Sequence, residues 1–243
     1  MTETALAGVK VIEVCSLVAG PYSTKLMSDM GAEVIKVEEP EGGDVARIRG
    51  PFFNGTPHPE KSLLFLNLNT NKLGVTLNLN SKQGKEILRK LVKEADVLVE
   101  DNPPGAMTAM ELGYEALKEL NPKLIMVSIT PFGQWGPHKD YKSSDLVLLA
   151  MGGPMWSCGY DDHSIPPIRG GGGQAYHTGG HYAFIGALTA LFHRDMTGEG
   201  QQVDLSIQEA LTCTTEGGTV NWLYGGRLVQ RQTGRHASPA GSP

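Results

Sequence analysis

The feature that most constrains this chain is a strand–helix–strand pattern in its first 38 residues. The apolar run at 9–14 predicts a buried strand, and the apolar stripe within 22–30 predicts a helix. Pro21 suits the first position of that helix, and Gly31 suits its end. A second strand is predicted at 33–38, directly after this helix. Two strands joined by one helix form a parallel pair with a right-handed crossover.

Strands and helices continue to alternate as far as residue 222. Further strands are predicted at 63–68, 75–79, 97–99, 124–129 and 202–205. Helices are predicted after a cap at Ser81 and over 114–120, 145–151, 182–192 and 206–222, with an irregular stretch at 157–173. This alternation predicts an α/β fold with a doubly wound parallel sheet. Residues 1–226 would form that domain, and 227–243, which lack apolar periodicity, would be a linker or a disordered tail.

Charge and residue content argue against several classes of protein. The formal net charge is −5 at pH 7, whereas binders of nucleic acids or membrane surfaces usually carry a basic face. No run approaches the ~20 apolar residues of a membrane helix. Three widely spaced cysteines form neither a disulfide framework nor a zinc pattern, which favours a cytoplasmic protein. His177 and His181 would not share a helical face if the helix began near Tyr182, so no metal is expected.

Three segments carry motifs that are matched in order by one known family. Residues 11–47 contain an Ala-Gly-Pro turn, the string GAEVIKVE and a Gly-Asp pair followed by Arg47. Residues 95–137 contain ADVLVEDNPPG and ITPFGQWGP, and residues 182–211 contain TGEGQQVDLSIQEAL. Together they resemble the class III CoA-transferase family, which includes carnitine and formyl-CoA transferases and 2-methylacyl-CoA racemases. The likeness covers about residues 8–240.

The resemblance implies a Rossmann-like large domain, a smaller second domain and two chains interlinked as rings. RQTGRHASPAGSP resembles the family's linker into the small domain, so the sequence would hold most of the large domain and lack the small one. The implied substrate is coenzyme A, bound as an acyl-CoA thioester, with no metal. The implied protein partner is a homologous catalytic subunit or a second copy of the chain.

The family's catalytic Asp has no carboxylate counterpart in this sequence. In the transferases that Asp attacks the thioester and forms a mixed anhydride, and it lies ten residues before the glycine that matches Gly186. This spacing, together with the match of Gly180, places Tyr176 at the catalytic position. A phenol does not form a mixed anhydride. His177 is either an alternative catalytic group or an ordinary packing residue, and Ser144 replaces the His of the racemases.

The resemblance also assigns residues to the coenzyme A site. Val18 and Ala19 match the turn that lies against the ligand. The loop that begins at Asn102 and ends at Gly105 matches the loop that holds the nucleotide, and so does Met110.

Cations that would meet the phosphates are only partly retained. Arg47 and Lys139 are the candidates for this role. Ala109 and Asn80 stand where the family often has basic residues, and losing those cations weakens the attraction to phosphate.

Three functions stay open at this point. The chain is the non-catalytic subunit of a heteromeric CoA-transferase, or an active transferase that uses another residue, or an acyl-CoA-binding protein without turnover. The absence of an Asp at position 176 favours the first.

Overall fold

A computed structural model describes residues 4–231 of the chain. Six strands form one sheet in the order β3-β2-β1-β4-β5-β6, and all neighbours are parallel. The strands are β1 Lys10–Val14, β2 Glu33–Glu38, β3 Lys72–Thr76, β4 Val97–Glu100, β5 Ile125–Thr130 and β6 Gln202–Ser206. The predicted α/β fold with a parallel sheet is therefore confirmed.

The helices of the described chain cover both faces of the sheet. They are α1 Ala19–Asp29, α2 Leu63–Leu68, α3 Lys82–Val92, α4 Ala106–Ala109, α5 Tyr114–Lys118, α6 Asp145–Met151, α7 Gln174–Thr197, α8 Ile207–Cys213 and α9 Glu216–Gly225. Short 3₁₀ turns occur at Val45–Ile48, Phe53–Gly55 and Pro154–Ser157. One core cluster combines apolar residues of α1, α6, α7 and α8, and the other combines residues of α3, α4 and α5. Burial on both faces explains why the strands read as almost continuous apolar runs.

Helix α7 begins at Gln174, eight residues before the predicted start. Two glycines inside it allow a close approach to neighbouring elements. A Cβ atom at Gly179 would lie 2.7 Å from the Ile207 side chain, and one at Gly180 would lie 2.7 Å from the carbonyl oxygen of Ala19. The first part of α7 resembles a loop in the sequence because the helix needs glycines where it crosses α1 and α8.

Three other predicted elements differ in the structure. Residues 63–68 form helix α2 and not a strand, because the Ser62 hydroxyl caps the helix by accepting the Phe65 N–H at 3.2 Å. The next strand is β3, which begins three residues before the predicted one. The predicted helix at 206–222 is divided into α8 and α9 at Thr214 and Thr215, where both hydroxyls donate to carbonyl groups in the last turn of α8.

The end of the described chain packs against the segment before α7. The Trp156 indole donates to the carbonyl of Val229 at 2.6 Å. Arg231 is buried and donates to the carbonyls of Tyr160 and Ile165 at 2.9 and 2.7 Å. Of the predicted linker at 227–243, residues 232–243 lie outside the described part, and 227–231 lie in neither helix nor strand.

Candidate functional site

A cavity of about 350 Å³ lies at the carboxyl ends of the central strands. The chain reverses its direction of sheet growth between β1 and β4, and open α/β sheets bind ligands at such a point. Three residues singled out from the sequence line the cavity, namely Asn80, Asn102 and Met110. The lining also includes residues from β1, β2 and the loops after them: Val14, Cys15, Ser16, Glu38, Glu39, Asp44 and Asp101.

The turn between β1 and α1 is held by two carboxylates from other loops. The Ser16 N–H donates to both oxygens of Asp101 at 3.1 Å. The Leu17 N–H donates to Asp44 Oδ1 at 2.9 Å, with Leu17 in the left-handed region at φ 62°. Burial raises the pKa of the Asp101 carboxyl well above its usual value. This turn leads directly into Val18 and Ala19, the predicted ligand contacts at the start of α1.

A buried cluster of charged side chains is linked to this turn through Asp44. Glu13 of β1 contacts Lys36 of β2 at 2.6 Å and Lys72 of β3 at 2.8 Å, and it accepts the Thr24 hydroxyl at 2.6 Å. Lys36 also contacts Asp44 at 2.8 Å. Burial opposes the charge on Glu13, but the two lysines outweigh it and lower the pKa of that carboxyl. The cluster therefore joins three adjacent strands to the loop that caps the cavity.

Arg47 is engaged by residues of this chain. Its guanidinium makes two bonds to the Glu38 carboxylate, at 2.7 and 2.9 Å, and one to Glu60 at 2.7 Å. The same group lies 3.7 Å from the centre of the Phe65 ring. Glu38 raises the pKa of Arg47, so the pair stays charged. Contact of Arg47 with a phosphate stays a prediction, and it would have to compete with these partners.

The loop after β4 has the geometry of a tight turn. The Asn102 N–H and side-chain amide donate to the buried Glu100 carboxylate at 2.9 and 3.2 Å. Burial raises the pKa of that carboxyl. Gly105 has φ 79°, which favours glycine, and it lines a second cavity of about 260 Å³ under α4. Asn102 lines the first cavity and Gly105 lines the second, so these two predicted residues of one loop face different cavities.

Tyr176 lies in the first turn of α7 and is half-buried. Burial raises the pKa of its phenol, and the nearby charge of Asp145 raises it further. Both oxygens of Asp145 have partners, because Oδ1 accepts the Ala175 N–H and Oδ2 contacts Arg169, each at 2.9 Å. The Asp145 carboxylate therefore positions the start of α7.

Helix α1 begins at the predicted ligand turn and packs against α7, the helix that carries the predicted catalytic position. The Tyr22 ring packs against the His177 ring with centres 4.8 Å apart, and the Tyr22 hydroxyl lies 3.1 Å from His181 Nε2. His177 Nδ1 lies 3.0 Å from the Gly173 carbonyl oxygen. Since α7 begins at Gln174, both histidines lie on this helix, four residues apart, and the predicted helix start near Tyr182 was wrong.

Two other candidates lie away from the cavity. Lys139 is partly exposed and ion-paired with Asp140 at 2.7 Å, and it does not line the cavity. Ser144 caps α6, where its hydroxyl accepts the Val147 N–H at 3.3 Å. Across residues 4–231, His, Cys, Asp and Glu side chains form no cluster of three that could hold a metal.

The sequence profile of CoA-transferase family III matches residues 6–242. The chain belongs to CoA-transferase family III. The resemblance seen in the three motif segments is thereby confirmed. Within the part of this class III chain that the structure describes, no helix combines the length and apolar content needed to cross a membrane.

Two relatives of this class III chain carry names that make them subunits of CoA-transferases. Subunit BbsE of succinyl-CoA:(R)-benzylsuccinate CoA-transferase from Thauera aromatica is 38% identical, over 91% of this chain and 53% of that protein. The beta subunit of succinyl-CoA–L-malate CoA-transferase from Chloroflexus aurantiacus is 34% identical, over 100% of this chain and 58% of that protein.

The fold also matches a solved member of the family. The crystal structure of a CaiB/BaiF family protein from Brucella suis superposes with a TM-score of 0.88 at 35% identity. The match covers 95% of this chain and 60% of that chain. The class III chain thus spans little more than half the length of the proteins that it resembles.

Sequence reasoning missed the two carboxylates that hold the β1–α1 turn. Asp101 directly follows a buried strand, and Asp44 follows a Gly-Gly pair after the second strand. Asp101 directly follows β4, whereas Asp44 lies in the loop between β2 and the 3₁₀ turn Val45–Ile48, and both loops leave the sheet at its carboxyl edge. The sequence could have indicated that the two carboxylates lie near the ligand edge of the sheet. Their partners, the N–H groups of Ser16 and Leu17, depend on loop geometry that the sequence does not specify.

Proposed function

We propose that this chain is part of a class III CoA-transferase that handles acyl-CoA thioesters, and that it is the non-catalytic subunit of a heteromer. Its membership of the family supports the reaction class. The two relatives that are named as subunits support a partner chain. The partner would be a homologous subunit that carries the catalytic Asp, in the cytoplasm.

The observation that carries this proposal is the tyrosine at position 176. Catalysis by this family needs a carboxylate, because an acylated carboxylate is an anhydride. The released thiolate attacks an anhydride readily. An acylated phenol is an ester, and the raised pKa of Tyr176 makes its phenolate a scarce nucleophile at neutral pH. Asp145 does not substitute for the missing group, because both of its oxygens are held by Ala175 and Arg169.

His177 supports the second candidate function, an active transferase with a different nucleophile. If its Nδ1 donates to the Gly173 carbonyl, the lone pair is on Nε2, which can carry an acyl group as an acyl-imidazole. The Tyr22 ring packs against one side of this imidazole. The third candidate, acyl-CoA binding without turnover, shares the binding residues and differs only in the absence of a catalytic partner.

Acyl transfer from succinyl-CoA to assorted acids tests the proposal. The purified chain alone should give no transfer and no adduct that hydroxylamine can trap. Together with a homologous subunit that has the Asp, it should reach enzyme-like rates of about 1 per second or more. Tyr176→Phe should leave that rate within about twofold, since a few tenths of a kcal/mol changes a rate by no more.

Each alternative gives a different result in the same assay. An adduct on the chain alone that disappears in His177→Gln, and not in the matched His181→Gln variant, would establish the active-enzyme alternative. Ligand binding without transfer, with or without a homologous partner, would favour the acyl-CoA-binding protein. A rate that falls at least a hundredfold in Tyr176→Phe would show that the phenol is catalytic and would contradict the proposal.

A further inference from the structure

Two histidines lie one turn apart near the start of α7. The helix begins at Gln174, so His177 is its fourth residue and His181 is its eighth. Side chains four residues apart lie on the same face of an α-helix, with Cβ atoms about 5–6 Å apart. The two histidines of a helical H-E-x-x-H zinc site have this same spacing. The fold therefore places two imidazoles where both can contact one ion.

The ring of His177 is oriented by a backbone carbonyl. Its Nδ1 lies 3.0 Å from the carbonyl oxygen of Gly173. Because a carbonyl oxygen accepts hydrogen bonds and does not donate them, Nδ1 carries the proton and the lone pair is on Nε2. Histidines that bind metals usually have this arrangement, in which the other ring nitrogen donates to a carbonyl or carboxylate. The Nε2 atom of His177 is therefore available to a cation.

Tyr22 of α1 contacts both histidines. The centre of its ring lies 4.8 Å from that of His177 and 4.9 Å from that of His181, edge-on in both cases. Its hydroxyl lies 3.1 Å from Nε2 of His181, a distance at which a hydroxyl donates to the lone pair of an imidazole nitrogen. The two imidazoles thus pack against one side chain, and each has a lone pair on Nε2.

Solvent reaches this group of side chains. His181 is exposed, and His177 and Tyr22 are half-buried. Gly180 has no side chain, and a Cβ atom there would lie 3.0 Å from the Tyr22 ring, so glycine leaves room for the phenol. An ion can therefore enter from solvent. Within residues 4–231 no third His, Cys, Asp or Glu joins the pair, so water would complete the coordination.

The donor atoms decide which ions suit the pair. Imidazole nitrogens suit zinc, copper, iron and nickel, whereas magnesium and calcium prefer oxygen ligands. For a given set of nitrogen ligands, affinity rises from nickel(II) to copper(II) and falls again at zinc(II).

We propose that His177 and His181 form a binding site for a divalent transition-metal ion, with copper(II) bound most tightly. The Nε2 atoms of both rings bind the ion, which replaces the hydrogen bond between Tyr22 and His181. No electron is transferred in this step, because the imidazoles only displace water from the ion.

A bound ion limits what His177 can do. Its Nε2 lone pair is the one that would carry an acyl group if the chain were an active transferase, so the ion excludes an acyl-imidazole. The site itself does not depend on the proposed function, because a non-catalytic subunit has the same two histidines.

Calorimetric titration of the full chain with the chlorides of copper(II), nickel(II), zinc(II) and magnesium tests the inference, in a buffer that does not bind metals. One copper(II) ion should bind per chain, more tightly than nickel(II) or zinc(II), and magnesium should not bind. Electron paramagnetic resonance of the copper-loaded chain should show two nitrogen ligands, whereas copper(II) on a single surface histidine would show one.

His177→Gln and His181→Gln should each weaken copper(II) binding at least tenfold and remove one nitrogen from the resonance spectrum. His193→Gln is the matched control, because His193 is also exposed on α7 but has Thr189 and Thr197 one turn away in place of a second imidazole. It should change neither the affinity nor the spectrum. Equal melting temperatures of the three variants without metal would show that all are folded.

The inference is overturned if copper(II) does not bind, if its spectrum shows a single nitrogen ligand, or if zinc(II) binds more tightly. It is also overturned if His193→Gln weakens binding as much as the other two variants. These results would leave the proposed function standing, because that depends on acyl transfer and on Tyr176. Conversely, an acyl-enzyme formed by the metal-free chain would overturn the proposed function and leave the metal site intact.

Discussion

Replacing Glu13 by Gln should test the buried charge cluster directly. Glu13 is fully buried, and the side chains of Lys36 and Lys72 are each 2% exposed. Glu13→Gln keeps the shape of the side chain and one acceptor oxygen but removes the negative charge. Lys36 would still have Asp44 at 2.8 Å, whereas Lys72 would keep only the neutral oxygens of Pro21 and Asn69.

The expected cost follows from the cation that is left without a counter-charge. Removing one partner of a buried ion pair costs about 3–5 kcal/mol. Because Lys36 retains Asp44 and Lys72 retains two hydrogen bonds, the lower end applies, and the free energy of unfolding should fall by about 3 kcal/mol. The matched control is Asp29→Asn, which breaks the partly exposed Lys25–Asp29 pair and should cost about 0.5 kcal/mol or less.

Urea unfolding followed by circular dichroism measures both variants. Burial lowers the pKa of Lys72 in the native protein, and that lowering should grow when Glu13 is neutral. The unfolded state then binds more protons than the native state at pH values below the ordinary lysine pKa, so the stability of Glu13→Gln should rise as the pH is raised toward about 10.5. A loss below 1 kcal/mol with no pH dependence would refute the reasoning, because it would mean that Lys72 needs no counter-charge.

Three further outcomes are expected. Gly180→Ala should lower the free energy of unfolding by about 1–3 kcal/mol in urea titrations, since its Cβ would lie 2.7 Å from the Ala19 carbonyl oxygen, and a loss below 0.5 kcal/mol would contradict the close packing. Stability measured against pH should fall on both sides of about pH 4.5, because the lowered pKa of Glu13 costs stability below this value while the raised pKa of Glu100 costs stability above it; a monotonic profile would contradict this. Lys139→Ala should change the affinity for coenzyme A by less than twofold in calorimetry, because Lys139 does not line the cavity, and a tenfold loss would place the ligand elsewhere.

The first strand–helix–strand unit could be read from the sequence because its residues obey local rules. The apolar runs of β1 and β2 are short and flanked by turn residues, and Gly31 adopts φ 98° at the end of α1. The same rules failed at 63–68, where alternating Leu residues indicated a strand. A single cap at Ser62 and packing next to the 3₁₀ turn Val45–Ile48 decide for a helix there.

Only part of the candidate site could be predicted from the sequence. The assignments of Val18, Ala19, Asn102 and Met110 come from the family resemblance, and of these four Asn102 and Met110 line the cavity. The early start of α7 was hidden because Gly179 and Gly180 weaken helix propensity, yet contacts with α1 and α8 compensate for it. The engagement of Arg47 by Glu38 was not predictable either, since a lone arginine near a strand end fits an ion pair as well as a phosphate.

The buried cluster of Glu13, Lys36 and Lys72 also limits how the sequence can evolve. Each of these residues comes from a different strand; losing Glu13 leaves Lys72 without a carboxylate partner, and losing Lys36 leaves Asp44 without its lysine. Apolar replacement of the whole cluster could be as stable as the present arrangement, but every path to it begins with a strongly destabilised intermediate. Lineages that share this cluster should therefore keep all its members or lose them together, whereas a partly exposed residue such as Lys139 can change alone.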